Sequence, residues 1–177
     1  FQEFTMRLVA LSLAAALVAT PAMAEDFAGP YVGAGVTLDN FQGSGSLEGI
    51  GFSGLGGTVF AGYDMPLGES AFAGVEANAD VNSADLDGAI DADWAWGAGA
   101  RLGYKLNEST ALYGRVGYAR TRLSSGGTHQ WLDGVRYGVG LQTGLTEQLS
   151  LRAEVTQINF EDDLINNQGA LTLSYGF

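Results

Sequence analysis

The chain has 177 residues, 46% of them hydrophobic, no cysteine, and 20 acidic against 8 basic side chains for a net charge of −12. That excess of acid argues against a nucleic-acid partner, which would want a basic face. The missing cysteine excludes disulfide staples and thiolate metal sites, so stability has to come from burial and backbone pairing.

Residues 1–5 precede a candidate initiator at Met6 and read as a non-native upstream extension. Met6 and Arg7 open an apolar run from Leu8 to Thr20, and Pro21-Ala22-Met23-Ala24 follows it. A charged start, an apolar core and a small-x-small site predict a secretory signal over 6–24, cut after Ala24. The run is too short to cross a membrane as a helix, which needs about 20 apolar residues. Residues 25–177 are then one exported domain, with 19 acidic and 7 basic residues once Glu3 and Arg7 are set aside.

Within that domain, period-2 segments bounded by turn residues predict eight strands, near 29–39, 55–65, 71–80, 91–106, 110–123, 133–145, 149–159 and 168–177. A tilted strand crosses a bilayer in about 9–11 residues, and each segment reaches that length or somewhat more. Connections after the second, fourth and sixth segments (66–70, 107–109 and 146–148) are tight; those after the first, third, fifth and seventh are expected to be longer and polar. An even number of strands with short turns on one side and long loops on the other predicts an all-β, eight-stranded antiparallel up-and-down transmembrane β-barrel with periplasmic termini.

Alternation assigns the two faces. In the fourth segment Trp94, Trp96, Ala98, Ala100, Leu102 and Tyr104 point one way, and Asp93, Gly97, Gly99, Arg101, Gly103 and Lys105 the other. Aromatics at both ends of an apolar face are the girdle expected at two membrane interfaces, here Trp94, Trp96, Tyr104, Tyr118, Tyr137 and Tyr175. The same parity sends Glu76, Arg101, Arg115, Arg136, Arg152 and Glu154 into the lumen. Buried charges need partners, so an interior network of the two glutamates with two or three arginines is expected, acting as a register-fixing plug or, alternatively, as a gate. Inward glycines leave room for these long side chains.

The final residues, Leu171-Thr172-Leu173-Ser174-Tyr175-Gly176-Phe177, alternate apolar with small or polar and finish on an aromatic. Together with Gly29-Pro30-Tyr31-Val32-Gly33 and Leu112-Tyr113-Gly114-Arg115-Val116-Gly117-Tyr118-Ala119-Arg120-Thr121-Arg122, this ending resembles the small outer-membrane β-barrel superfamily of opacity-type porins and the OmpA transmembrane domain. The resemblance covers essentially the whole of 25–177. It implies localisation in a bacterial outer membrane and makes Tyr175 and Phe177 the insertion signal read by the barrel-assembly machinery. With no peptidoglycan-binding domain expected after Phe177, cell-wall anchoring in the OmpA manner is not expected.

Three further features bear on function. Asp80, Asp85, Asp87, Asp91 and Asp93 surround the second long connection and Glu161, Asp162 and Asp163 the fourth. Their spacing, with Asn82 nearby, does not match an EF-hand, so they are read as solvated loops and no metal site or cofactor is assigned. Divalent cations bridging these loops to lipopolysaccharide phosphates are a middle reading. His129 lies in the segment 124–130 with Ser124 and Ser125, and Asp133 and Glu161 are the acids nearest to hand. That pattern does not match the His-x-Ser arrangement sought in lipid A deacylases, and His129 is expected to be an exposed loop residue. In the first loop, Phe41, Leu47, Ile50 and Phe52 either touch a surface partner or a small hydrophobic ligand, or continue strands one and two as a ribbon.

The expected function is a monomeric, non-enzymatic structural or surface-interaction protein, adhesin-like, whose loops meet a host or environmental ligand. Its other partners are outer-membrane lipids and lipopolysaccharide. The alternative is a narrow gated porin for small solutes or ions. A lipid-modifying enzyme and a soluble ligand-binding barrel are the remaining classes.

Overall fold

The structure, a computed structural model, describes residues 27–43, 51–82, 85–86, 90–160 and 164–177. The upstream extension, the signal segment, Leu47, Ile50, Asp87, Glu161, Asp162 and Asp163 lie outside the described residues. The strands are β1 (Gly29–Gly43), β2 (Gly51–Leu67), β3 (Ala71–Asn82), β4 (Ile90–Lys105), β5 (Thr110–Ser125), β6 (Thr128–Gly144), β7 (Leu149–Phe160) and β8 (Leu164–Gly176). A two-residue rung, Asp85–Leu86, pairs with the start of β4.

Each strand pairs antiparallel with its neighbours in sequence, and β1 pairs with β8 from Tyr31↔Gly176 to Gly43↔Leu164. The result is a closed eight-stranded antiparallel barrel without a free edge, the condition under which strands can sit in lipid with every backbone group paired. Alternation decides what each side of the wall presents. Val36, Val59, Val75, Leu102, Val116 and Val139, on six successive strands, are each more than half exposed on the outer wall. A soluble monomer rarely shows an apolar patch above a few hundred Å², and this one encircles the molecule. Inside, Thr37, Asp39, Glu76, Arg101, Arg152 and Thr156 are buried.

The turn side is compact for local reasons. Asn107 Oδ1 accepts from the backbone N–H groups of Ser109 (3.0 Å) and Thr110 (2.8 Å), and Thr146 Oγ1 accepts from Leu149 N–H at 2.9 Å. These side chains stand in for the backbone and close four-residue turns.

The other side departs from expectation. The strands grow into it: β6 begins at Thr128, and β5 and β6 are joined by Gly126 and Gly127 alone, both with positive φ (57° and 83°). A two-residue connection with both φ positive is the type I′ geometry, which matches the twist of the flanking strands. His129 is therefore a strand residue opposite Ser124, exposed near a hairpin tip, and not part of a long loop. Likewise Phe41 and Phe52 are register partners in the β1–β2 ribbon, which agrees with the ribbon reading of that segment. Gly127→Val is expected to cost about 1–2 kcal/mol, because a β-branched residue is forced into the left-handed region. Hydrogen exchange at the Ser125 and Thr128 amides checks this, and unchanged protection would show that the turn carries no strain.

Candidate functional site: the charged lumen

The inward positions of the eight strands form one connected polar column. At its centre is Glu76 on β3, which accepts from the Tyr31 hydroxyl at 2.9 Å and lies 2.9 Å from Arg115, 2.9 Å from Arg152 and 3.7 Å from Arg101. Toward the turn side, Arg101 reaches Asp64 at 3.1 Å and donates to Gln142 at 2.9 Å; Gln142 donates to Ser150, which shares a hydrogen bond with Ser174. Toward the loop side, Arg115 pairs with Glu154 at 3.2 Å, and Glu154 also accepts from the Tyr113 hydroxyl at 2.7 Å and from Thr156 at 2.8 Å.

Arg136 joins that knot only at second hand, through Asp80 and Asn78, which donates to Asp80 at 2.8 Å and accepts from Arg115 at 3.2 Å. It pairs with Asp80 at 3.2 Å and donates to Gln168 at 2.6 Å. Gln168 and Asn166 in turn donate to Asp39 at 2.9 and 2.7 Å. Asp80 thus faces the lumen, 3% exposed, and is not one of the solvated loop acids among which its sequence position placed it. It shares parity with Glu76 and Asn78, and the alternation carried four residues on from Glu76 reaches it. Asp39 on β1 and Asp64 on β2 also face the lumen, and the same alternation along those two strands marks them.

Large side chains fill the remaining space by lying across glycines of the neighbouring strand. A Cβ added at Gly140 would meet the Tyr113 ring, at Gly62 the Tyr31 ring, at Gly33 the Phe60 ring and at Gly103 the Phe72 ring. The guanidinium of Arg152 then sits 4.4 Å from the Phe60 ring centre and that of Arg101 4.5 Å from Tyr113, contacts that stabilise a desolvated cation. At the turn-side mouth Phe27, just ahead of β1, stacks on Phe72 with centroids 5.2 Å apart and planes 5° from parallel. Cavities of about 20 Å³ remain, one lined by Tyr31, Asp64 and Gln142 and another by Glu76, Arg115 and Arg136, each with room for about one water.

The outward aromatics gather toward the two ends of the strands. Trp94, Trp96 and Tyr118 lie toward the loop side with Trp131, and Tyr104 and Tyr175 toward the turn side with Tyr63 and Phe177. Tyr137 sits further down the wall, its hydroxyl accepting from Asn159 at 3.4 Å. Tyr175 and Phe177 meet edge to face at 5.3 Å.

His129 and Asp133 stand four positions apart on β6, about 13 Å at 3.3 Å per residue, beyond hydrogen-bond reach. Asp133 is held instead by the Tyr118 hydroxyl at 2.6 Å and Arg120 at 3.1 Å. Among the described residues, no group of three or more His, Cys, Asp or Glu side chains is placed to hold a metal.

Comparisons with known proteins agree with this architecture. Residues 10–177 match the family described as outer membrane protein beta-barrel domain. No curated protein matches the sequence. Among solved structures, the chain is similar to Ail, the attachment invasion locus protein of Yersinia pestis, at 19% identity and a TM-score of 0.59, covering 84% of this chain and 98% of that one. It is also similar to Neisserial surface protein A, at 17% identity and a TM-score of 0.61, covering 84% and 97%. A further Ail structure, in complex with the heparin analogue sucrose octasulfate, aligns at 16% identity with a TM-score of 0.58, covering 84% and 98%. At these identities the likeness is one of fold. The match over 10–177, on a closed barrel with an apolar outer wall and a polar lumen, identifies the chain as a member of the outer membrane protein beta-barrel domain family, a protein of the outer membrane.

Proposed function

We propose that this protein is a non-enzymatic surface protein of the outer membrane that acts through its loop-side ribbons, in an adhesin-like or structural role, and does not conduct solutes. The filled lumen carries this reading. Glu76, Arg101, Arg115, Arg152 and Glu154 have side chains at most 8% exposed and occupy successive levels of the barrel. Moving them aside to open a path would strand buried charges, at several kcal/mol each. A narrow gated porin needs that rearrangement to be cheap.

On this reading the external ligand differs in sign from the polyanion in the Ail complex. In the sequence, Asp85, Asp87, Asp91, Asp93, Glu161, Asp162 and Asp163 cluster around the second and fourth long connections, which favours a neutral or basic partner surface. The remaining partners are outer-membrane lipids, lipopolysaccharide and the assembly machinery that inserts the strands. One chain closes the wall, so a monomer suffices. Planar-bilayer recording of the reconstituted protein is expected to show a silent barrel. Discrete openings of reproducible size would overturn the proposal in favour of the gated pore.

A further inference from the structure

The outer wall carries its own charged site. On β5, Arg120 and Arg122 point outward at successive positions; Arg120 is in register with Trp96 of β4 and Asp133 of β6, and Arg122 with Trp94 and Trp131. The Arg120 guanidinium lies 5.1 Å from the Trp131 ring centre, and Trp131 meets Trp94 edge to face at 5.1 Å. Asp133, taking both Arg120 and the Tyr118 hydroxyl, fixes one side of this group. Among the described side chains the ion pair of this patch is Arg120–Asp133, and Arg122 is paired with no carboxylate.

This placement is unusual for the chain. Arg101, Arg115, Arg136 and Arg152 are inside the barrel, and Lys105 covers Phe27 at the turn-side end. With Arg7 in the expected signal, Arg120 and Arg122 are the remaining basic residues of the sequence, side by side on the wall of a protein of net charge −12. Their height is set by the strand. Ten residues separate Trp94 from Tyr104 on β4, about 33 Å along the strand and about 25 Å along the normal at a tilt near 40°, the height of the apolar band. Arg122 therefore lies at the loop-side headgroup level. An arginine flanked by tryptophans presents a planar fork suited to bidentate recognition of a phosphate, and it is less strongly hydrated than a lysine there.

We propose that Arg120 and Arg122, framed by Trp94 and Trp131, form a binding site for a phosphate of a phosphorylated lipid headgroup in the outer leaflet, the lipid A phosphate of lipopolysaccharide. The site rests on the outer-membrane location and not on the absence of conductance, so a conducting barrel would leave it standing. In a maltoside micelle free of phosphate, wild type is expected to bind bisphosphorylated lipid A about tenfold more tightly than dephosphorylated lipid A, read by native mass spectrometry. Arg122→Gln should lose most of that preference, Arg120→Gln with Arg122→Gln all of it, and Arg122→Lys should restore it in part. Unchanged heat-modifiable mobility on gels verifies that each variant is folded. Equal binding of the two lipid A forms, or a preference that survives the double substitution, would overturn the proposal; so would competition by micromolar inorganic phosphate, which would assign the patch to a soluble anion.

Discussion

Glu76→Gln is expected to lower the unfolding free energy of the barrel by about 3–5 kcal/mol, the range found when one member of a buried ion pair is removed. Among the described residues, Glu76 is the acid in contact with three lumen arginines, Arg101, Arg115 and Arg152, and with the Tyr31 hydroxyl. The amide keeps an acceptor oxygen but brings an N–H₂ donor against guanidinium groups that have only donors. Arg115 retains Glu154 at 3.2 Å and Arg101 retains Asp64 at 3.1 Å, so the uncompensated cation is Arg152. Adding Arg152→Met should recover a large part of the loss, since an apolar replacement of both partners removes the stranded charge. Urea unfolding in lipid vesicles, followed by tryptophan fluorescence, measures both. Glu69→Gln, on the exposed β2–β3 turn, is the control and should stay within about 0.5 kcal/mol. A cost below about 1 kcal/mol for Glu76→Gln would mean that water, not the arginines, satisfies this carboxylate.

Phe72→Ala is expected to cost a similar amount, about 3–5 kcal/mol, by a different route. The Phe72 side chain is fully buried, stacked on Phe27, lies across Gly103 and has the Arg101 guanidinium 5.0 Å above its ring. Truncation removes the transfer free energy of the ring and leaves a void that eight hydrogen-bonded strands cannot collapse to fill. Phe72 and Gly103 are direct register partners on β3 and β4, which gives a sharper test. Gly103→Ala in the native background should cost about 1–3 kcal/mol by overpacking against the ring. The same change in the Phe72→Ala background should cost little, because the atoms it would meet are gone. Additive costs in that cycle would show that the ring does not rest on the glycine.

The period-2 alternation made the wall legible: it separated Trp94, Leu102 and Tyr104 from Arg101 and Lys105 without any knowledge of partners, because a strand has only two faces. The number of strands followed from the same pattern. The lengths of the loop-side connections did not. Segments rich in Ser, Gly and Thr, such as 124–130, have the composition of loops, yet above the membrane both faces of a hairpin are wet and polar residues pair as readily as apolar ones. Composition there reports solvent, not the end of a strand. Asp93 illustrates a related limit, since the register shifts between Ala92 and Trp94 and local alternation is broken by a bulge.

The sequence by itself determined the barrel class, the inward set Glu76, Arg101, Arg115, Arg136, Arg152 and Glu154, and the outward aromatics, because parity along one strand is a local property. Only the tertiary structure decided that Arg136 turns to Asp80, that Glu76 gathers three arginines, and that Phe27 closes the turn-side mouth on Phe72. Those outcomes depend on the level at which each inward residue stands once the sheet has closed, and closure through β1 and β8 brings together side chains as far apart in sequence as Glu76 and Arg152, which no alternation along a single strand encodes.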